Sequence, residues 1–115
     1  EGEFMGAAIA PGLRLAASAL ADRTAQLPGV QLAAPPAALG KNTIHAMQSG
    51  LVLGYVSMVE GMVQRFRREL DGQAPVIATG GLVGVIAPNT DVIDVVDPWL
   101  TLDGLRIVAE RNPMK

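Results

Sequence analysis

Gly40-Lys41-Asn42-Thr43-Ile44-His45-Ala46-Met47-Gln48-Ser49-Gly50 opens the stretch 40–70, around which the rest of the chain is organised. It reads as a polar turn feeding a long helix. Asn42 and Thr43 both suit the N-cap, where a short side-chain oxygen accepts from an unpaired N–H of the first turn, a gain of about 1 kcal/mol. From 47 to 63 nearly every position is apolar or small. This predicts a helix buried on most of its circumference, becoming amphipathic beyond Val63. Gly50, Gly54, Ser57 and Gly61 fall, at about 100° per residue, within one stripe roughly 60° wide. Each interior glycine costs about 1 kcal/mol relative to alanine, so the stripe predicts a close helix contact, with a partner either in the same chain or in a second copy.

Before this helix, residues 4–10 form an apolar run of strand length ended by Pro11-Gly12. Pro11 also suits a first helical position, and Leu13, Leu15, Ala16, Ala19, Leu20 and Arg23 follow at helical spacing, in a helix expected to stop near Ala25. Leu27-Pro28-Gly29 reads as a turn, and Val30-Gln31-Leu32 as a short edge strand before the Pro35-Pro36 pair. After the central helix, Gly72 suits a left-handed cap. Residues 75–79 read as a buried strand, Gly80-Gly81 as a sharp turn, and 82–87 as a short helix ended by Pro88-Asn89. Residues 91–96 read as a third strand ended by Asp97-Pro98. A last helix spans 102–111, capped by Thr101 and packed through Leu102, Leu105, Ile107 and Val108. Alternating strands and helices imply an α/β class with a mainly parallel sheet, incomplete at three strands.

With 115 residues the chain amounts to a single domain. Half of it is hydrophobic, and Phe4, Tyr55, Phe66 and Trp99 are the aromatic residues, so Ala, Val, Leu, Ile and Met must fill the core. A net charge of −2 with no basic tail gives no electrostatic basis for nucleic-acid binding. The Arg65, Arg67 and Arg68 cluster reads as a solvated helix end that complements the dipole. Absence of cysteine removes disulfides and thiolate metal sites, and points to a reducing, cytoplasmic setting. The longest uncharged helical run, 46–59, falls short of the roughly 20 residues that span a bilayer. The opening Glu1-Gly2-Glu3, without an initiator Met or signal peptide, suggests that the start of something larger is missing.

Gly40-Lys41-Asn42-Thr43 invites a phosphate-loop reading, but Pro35 stands where that loop needs its first Gly and Asn42 where it needs Ser or Thr. What remains is either a plain cap or a helix start able to hold an anionic or hydroxylated ligand. Thr79-Gly80-Gly81-Leu82-Val83-Gly84 approaches a dinucleotide fingerprint, with Thr79 in place of the first Gly and no ribose-binding acid at a suitable distance. It reads equally as a tight turn or as a place where a nucleotide approaches backbone. His45 is the single histidine and has no metal-binding companion. Side chains of Asp91 and Asp94, three apart on a strand, point to opposite faces, so they make no carboxylate pair. No general base, nucleophile or metal set is legible.

The chain resembles the C-terminal half of a type III pantothenate kinase. The resemblance runs through Gly6-Ala7-Ala8-Ile9-Ala10-Pro11-Gly12, Leu27-Pro28, the eleven residues from Gly40 to Gly50, Ala78-Thr79-Gly80-Gly81-Leu82, Val92-Ile93-Asp94, and Asp97-Pro98-Trp99-Leu100-Thr101-Leu102-Asp103-Gly104-Leu105. Ala7 departs from the family, which usually has a second Gly there. The resemblance implies half of an actin-like, acetate-kinase-like (RNase H-like) ATPase fold, with ATP in the cleft between two α/β halves. Its implied reaction transfers the γ-phosphoryl group of ATP to pantothenate, the first step of coenzyme A biosynthesis. By the family pattern, the phosphate loop, the catalytic Asp and the ligand of a monovalent cation (potassium or ammonium) precede Glu1, so no catalytic or metal residue falls in this chain. Thr43 matches the pantothenate-contacting Thr, which serves the partner's site in a homodimer. Gly80 and Gly81 match the glycine pair on the nucleotide side, where ATP binds with Mg2+. The small-residue stripe becomes part of dimer packing. Rival readings are a non-catalytic binding or regulatory module on the same fold and a stand-alone half-domain left by proteolysis. The missing N-terminal half would be the chain's first partner, and the isolated chain is expected to be inactive, with neither nucleic acid nor membrane among its partners.

Overall fold

The computed structural model describes residues 2–23 and 29–114. Helix α1 (Leu13–Arg23) comes first, and the irregular stretch 29–42 leads into a continuous helical rod made of α2 (Thr43–Gln48), a π-helical segment (Ser49–Leu53) and α3 (Gly54–Glu69). Strand β1 (Ile77–Ala78), α4 (Val83–Ile86), a 3-10 turn (Ala87–Asn89), β2 (Val95–Val96) and α5 (Leu100–Arg111) complete the order. The architecture is mixed helix with a small parallel sheet. Ile77 pairs with Val95 and Ala78 with Val96, and the short α4 crosses between the two strands. The expected end of α1 near Ala25 and the Leu27-Pro28 turn lie outside the described residues.

The core is small and centred on the rod. Leu13, Leu51, Val56 and Ile86 are buried together, with Ala16, Ala17, Leu20 and Tyr55 packed against them. Met47 and Val52 are also buried. On the rod itself Met47, Leu51, Val52 and Val56 are the buried residues, so it is buried on part of its circumference and not around most of it. Gly50, Gly54 and Ser57 are exposed. A Cβ added at Gly50 or Gly61 would meet nothing within 4 Å, and one at Gly54 only the Ser49 carbonyl at 4.0 Å. Among the described residues, therefore, no second backbone packs on the glycine stripe.

The π turn is a local departure from the expected regular helix. The Gly54 N–H reaches the Ser49 carbonyl, five residues back, and thereby inserts an extra residue into one turn. At the other end, Asp71 takes the left-handed conformation (φ 55°) and Gly72 follows at φ 121°. The Gly72 N–H donates to Arg67 at 2.8 Å, the six-to-one bond of a Schellman ending. The left-handed position expected at Gly72 thus belongs to Asp71, one residue earlier.

The strands are shorter than expected. Residues 4–10 form no strand and are exposed throughout, with Ile9 98% accessible. A strand needs a neighbouring edge to satisfy its backbone, and Met5, Gly6 and Ala7 are separated from Val76 and Ile77 by a groove of about 540 Å3. Residues 30–32 likewise make no strand, and the stretches 75–79 and 91–96 contribute two paired residues each. β1 is not buried, since Ile77 is half exposed. Helix α5 starts at Leu100, ahead of Thr101, and Asp97 Oδ1 accepts from the Trp99 N–H at 2.9 Å at its entry. Its expected packing face, Leu102, Leu105, Ile107 and Val108, is exposed, because no described element reaches it. The Cα radius of gyration of 17.5 Å exceeds the about 13 Å of a compact domain of this length.

One polar brace joins the rod to the sheet. Asp94 Oδ2 accepts from the Val76 N–H at 2.7 Å and lies 3.6 Å from the Arg67 guanidinium. Arg67 Nε also donates to the Ala74 carbonyl at 3.4 Å. Asp94 is therefore engaged in holding β1, β2 and α3 together. Thr90 donates to Glu60 at 2.7 Å and ties the loop before β2 to the middle of α3.

Candidate functional site

The stretch 40–50 divides into residues that build the helix start and residues that do not. Asn42 is the N-cap: its backbone is extended and its Oδ1 accepts from the His45 N–H at 2.8 Å. Its amide nitrogen lies 3.1 Å from His45 Nδ1, so the only histidine serves the cap. Gly40 lies against the first turn, where a Cβ would sit 2.5 Å from Ala46 Cα and 2.7 Å from the His45 carbonyl carbon. Gln48 donates to the Gln31 carbonyl at 3.1 Å, and Ser49 Oγ donates to the Ala38 carbonyl. Met47 is buried.

Thr43 and Lys41 are left over. Thr43 is the first residue of α2, so of the two cap candidates only Asn42 caps. Both side chains are exposed, and neither makes a hydrogen bond or ion pair among the described residues. A hydroxyl and an ammonium group thus stand at a helix start whose own N–H groups favour negative or oxygen-rich partners. That arrangement can offer hydrogen bonds and a positive charge to an anionic or hydroxylated group. It offers no base or nucleophile.

Gly80 and Gly81 form the turn between β1 and α4. Gly80 has φ 115°, a conformation that L side chains rarely adopt, and nothing lies within 4 Å of a Cβ built at either glycine. The turn is open backbone surface. Thr43 and the glycine pair lie on separate elements and line neither of two open grooves, the one beside Met5 and Ile77 and another of about 490 Å3 between Ser18, Val30 and Leu82. Among the described residues, no three His, Asp or Glu side chains come together in a way that could hold a metal ion. Nor is any helix of the described residues long and apolar enough to cross a membrane.

Sequence reasoning missed the packing roles of Gly40, Gln48 and Ser49. A glycine just before a cap residue is a usable signal for close backbone approach, but the carbonyls that Gln48 and Ser49 reach lie 17 and 11 residues away. No local pattern announces such partners.

The structure is an α/β fragment in which the start of the long helix leaves the Thr43 and Lys41 side chains exposed and unengaged among the described residues. Residues 1–65 match the family model described as type III pantothenate kinase. The chain is 53% identical over 112 residues to a type III pantothenate kinase of Moorella thermoacetica, covering 97% of this chain and 44% of the relative. It is 52% identical over 111 residues to one from Roseiflexus castenholzii (96% and 44%) and 50% identical over 111 residues to one from Geotalea uraniireducens (96% and 43%). The chain belongs to the type III pantothenate kinase family. It spans less than half the length of these relatives and corresponds to their C-terminal half.

Proposed function

We propose that this chain is the pantothenate-contacting, dimer-forming half of a cytoplasmic kinase that transfers the γ-phosphoryl group of ATP to pantothenate, the first step toward coenzyme A. In this reading residues 1–115 form one domain of a two-domain enzyme of the actin-like ATPase fold, and a preceding half supplies the phosphate loop, the catalytic Asp and the monovalent-cation ligand. The observation that carries it is the division of labour in 40–50. Every polar side chain there except Lys41 and Thr43 is occupied in building the helix start, which leaves the Thr43 hydroxyl available to a ligand.

ATP, bound with Mg2+, supplies the phosphoryl group in such a reaction. Gly80 and Gly81 fit its approach because their open backbone bears no side chain. In a homodimer Thr43 serves the partner's site, and the open stripe Gly50, Gly54, Ser57 and Gly61 lies along the contact between rods.

In the full-length enzyme, Thr43→Val should raise KM for pantothenate by about two- to tenfold, the loss of one ordinary hydrogen bond, with little change in KM for ATP. Steady-state kinetics with each substrate varied separately checks this. Movement of the ATP parameter alone would show that the ligand is misassigned.

A further inference from the structure

Three contacts are nested around Thr43. The outermost joins Ala38 to Ser49 through the Ser49 hydroxyl, the next seats Gly40 on Ala46, and the innermost joins Asn42 to His45. Thr43 lies within all three. Gln48 extends the clasp by holding Gln31, so adjacent side chains at the end of α2 grip two points of the loop that leads into its start. Ser49 is engaged twice, because its carbonyl also accepts the Gly54 N–H of the π turn. A helical serine ordinarily bonds back to a carbonyl of its own preceding turn or to water. Here it reaches out of the helix, and only four residues separate the carbonyl it holds from Thr43.

We propose that Ser49 is a positioning residue for the Thr43 hydroxyl, with Gln48 as its auxiliary; this rests on the assignment of Thr43 to the pantothenate site. A hydroxyl is useful to a bound substrate only within a narrow range of distance and angle. A misplacement of about 1 Å at a reacting complex can cost up to about a hundredfold in rate. Asn42 fixes the direction of the helix start, and Gly40 allows the loop to lie against it. Ser49 fixes how far the loop can move away.

The test uses the full-length kinase and four proteins besides wild type: Ser49→Ala, Ser49→Thr, Thr43→Val and the Ser49→Ala/Thr43→Val double variant. Ser49→Ala should raise KM for pantothenate about three- to tenfold, leave KM for ATP within about twofold, and be partly rescued by Ser49→Thr. The double variant should be no worse than Thr43→Val alone, because a positioning group has nothing left to position. Effects that multiply, or a Ser49→Ala change shared equally by both substrates, would make Ser49 a general structural residue and overturn the inference. If Thr43→Val raises KM for pantothenate and Ser49→Ala does not, the inference fails alone; if Thr43→Val has no effect, the site assignment fails and takes the inference with it. Should Ser49→Ala not fold, Gln48→Ala is read in the same cycle, and failure of both to fold would assign the two bonds to the fold and overturn the positioning role.

Discussion

The backbone of Gly40 lies against that of Ala46 so closely that a methyl group at residue 40 would sit 2.5 Å from Ala46 Cα. Both contacting groups are main chain, so no side chain can swing away to make room. Gly40→Ala should therefore destabilise the folded protein by about 1–3 kcal/mol through overpacking. Chemical denaturation of the variant beside wild type checks this, and an unchanged midpoint would mean that the loop relaxes without cost.

Asn42→Ala should cost about 1 kcal/mol, because it leaves the His45 N–H at the first turn without its side-chain acceptor. Asn42→Asp keeps an acceptor oxygen and adds a favourable charge at the helix N-terminus, so it should stay within about 0.5 kcal/mol of wild type. Thermal unfolding of the three proteins in one buffer gives the ranking directly.

Gly54→Leu should separate folding from association. Within the chain the position is open and helical, so the added side chain should leave the monomer at least as stable as before, with a gain of up to about 1 kcal/mol from replacing a helical glycine. If the stripe packs against a second copy, the same side chain overfills the contact and should weaken dimerisation of the full-length enzyme by at least about tenfold. Sedimentation over a range of concentrations decides it; an unaltered dimer would remove the stripe from the interface.

The isolated 115-residue chain should show no detectable pantothenate phosphorylation with ATP and Mg2+, with or without potassium or ammonium. Phosphoryl transfer depends on in-line positioning, charge neutralisation and a placed base. Positioning alone is worth roughly 7–11 kcal/mol of barrier. Asp94 accepts from Val76 and lies beside Arg67, and Asp97 accepts from Trp99, so both carboxylates are engaged in holding the fold. A turnover near about 1 s−1 with labelled pantothenate would place the phosphate site and base in this chain after all.

Elements governed by nearest neighbours are legible in the residue pattern. The Asn42 cap, the α3 ending near Gly72, the Gly80 turn and the order of helices and paired strands follow from side chains acting on backbone within a few residues. The extent of the strands is not legible in this way. Residues 4–10 have the apolar content of a strand, but a strand exists only where a partner edge satisfies its hydrogen bonds, and here a groove lies between Met5–Ala7 and the open edge at Val76 and Ile77. The apolar face of α5 misleads in the same way: its periodicity is sound, yet whether Leu102 and Leu105 are covered depends on what lies opposite.

The residue pattern by itself determined where the long helix begins and that Thr43 stands at that beginning, since both are written in local side-chain chemistry; the family is legible separately, as a likeness of the eleven-residue motif to known sequences. Only the tertiary structure decided which motif residues are already occupied. Gln48 and Ser49 reach carbonyls far away in sequence, Gly40 answers to a backbone that folds over it, and the glycine stripe faces outward although its spacing suits a close contact. Hydrogen bonds and steric contacts between distant segments depend on the path of the intervening chain, and no local spacing encodes that path.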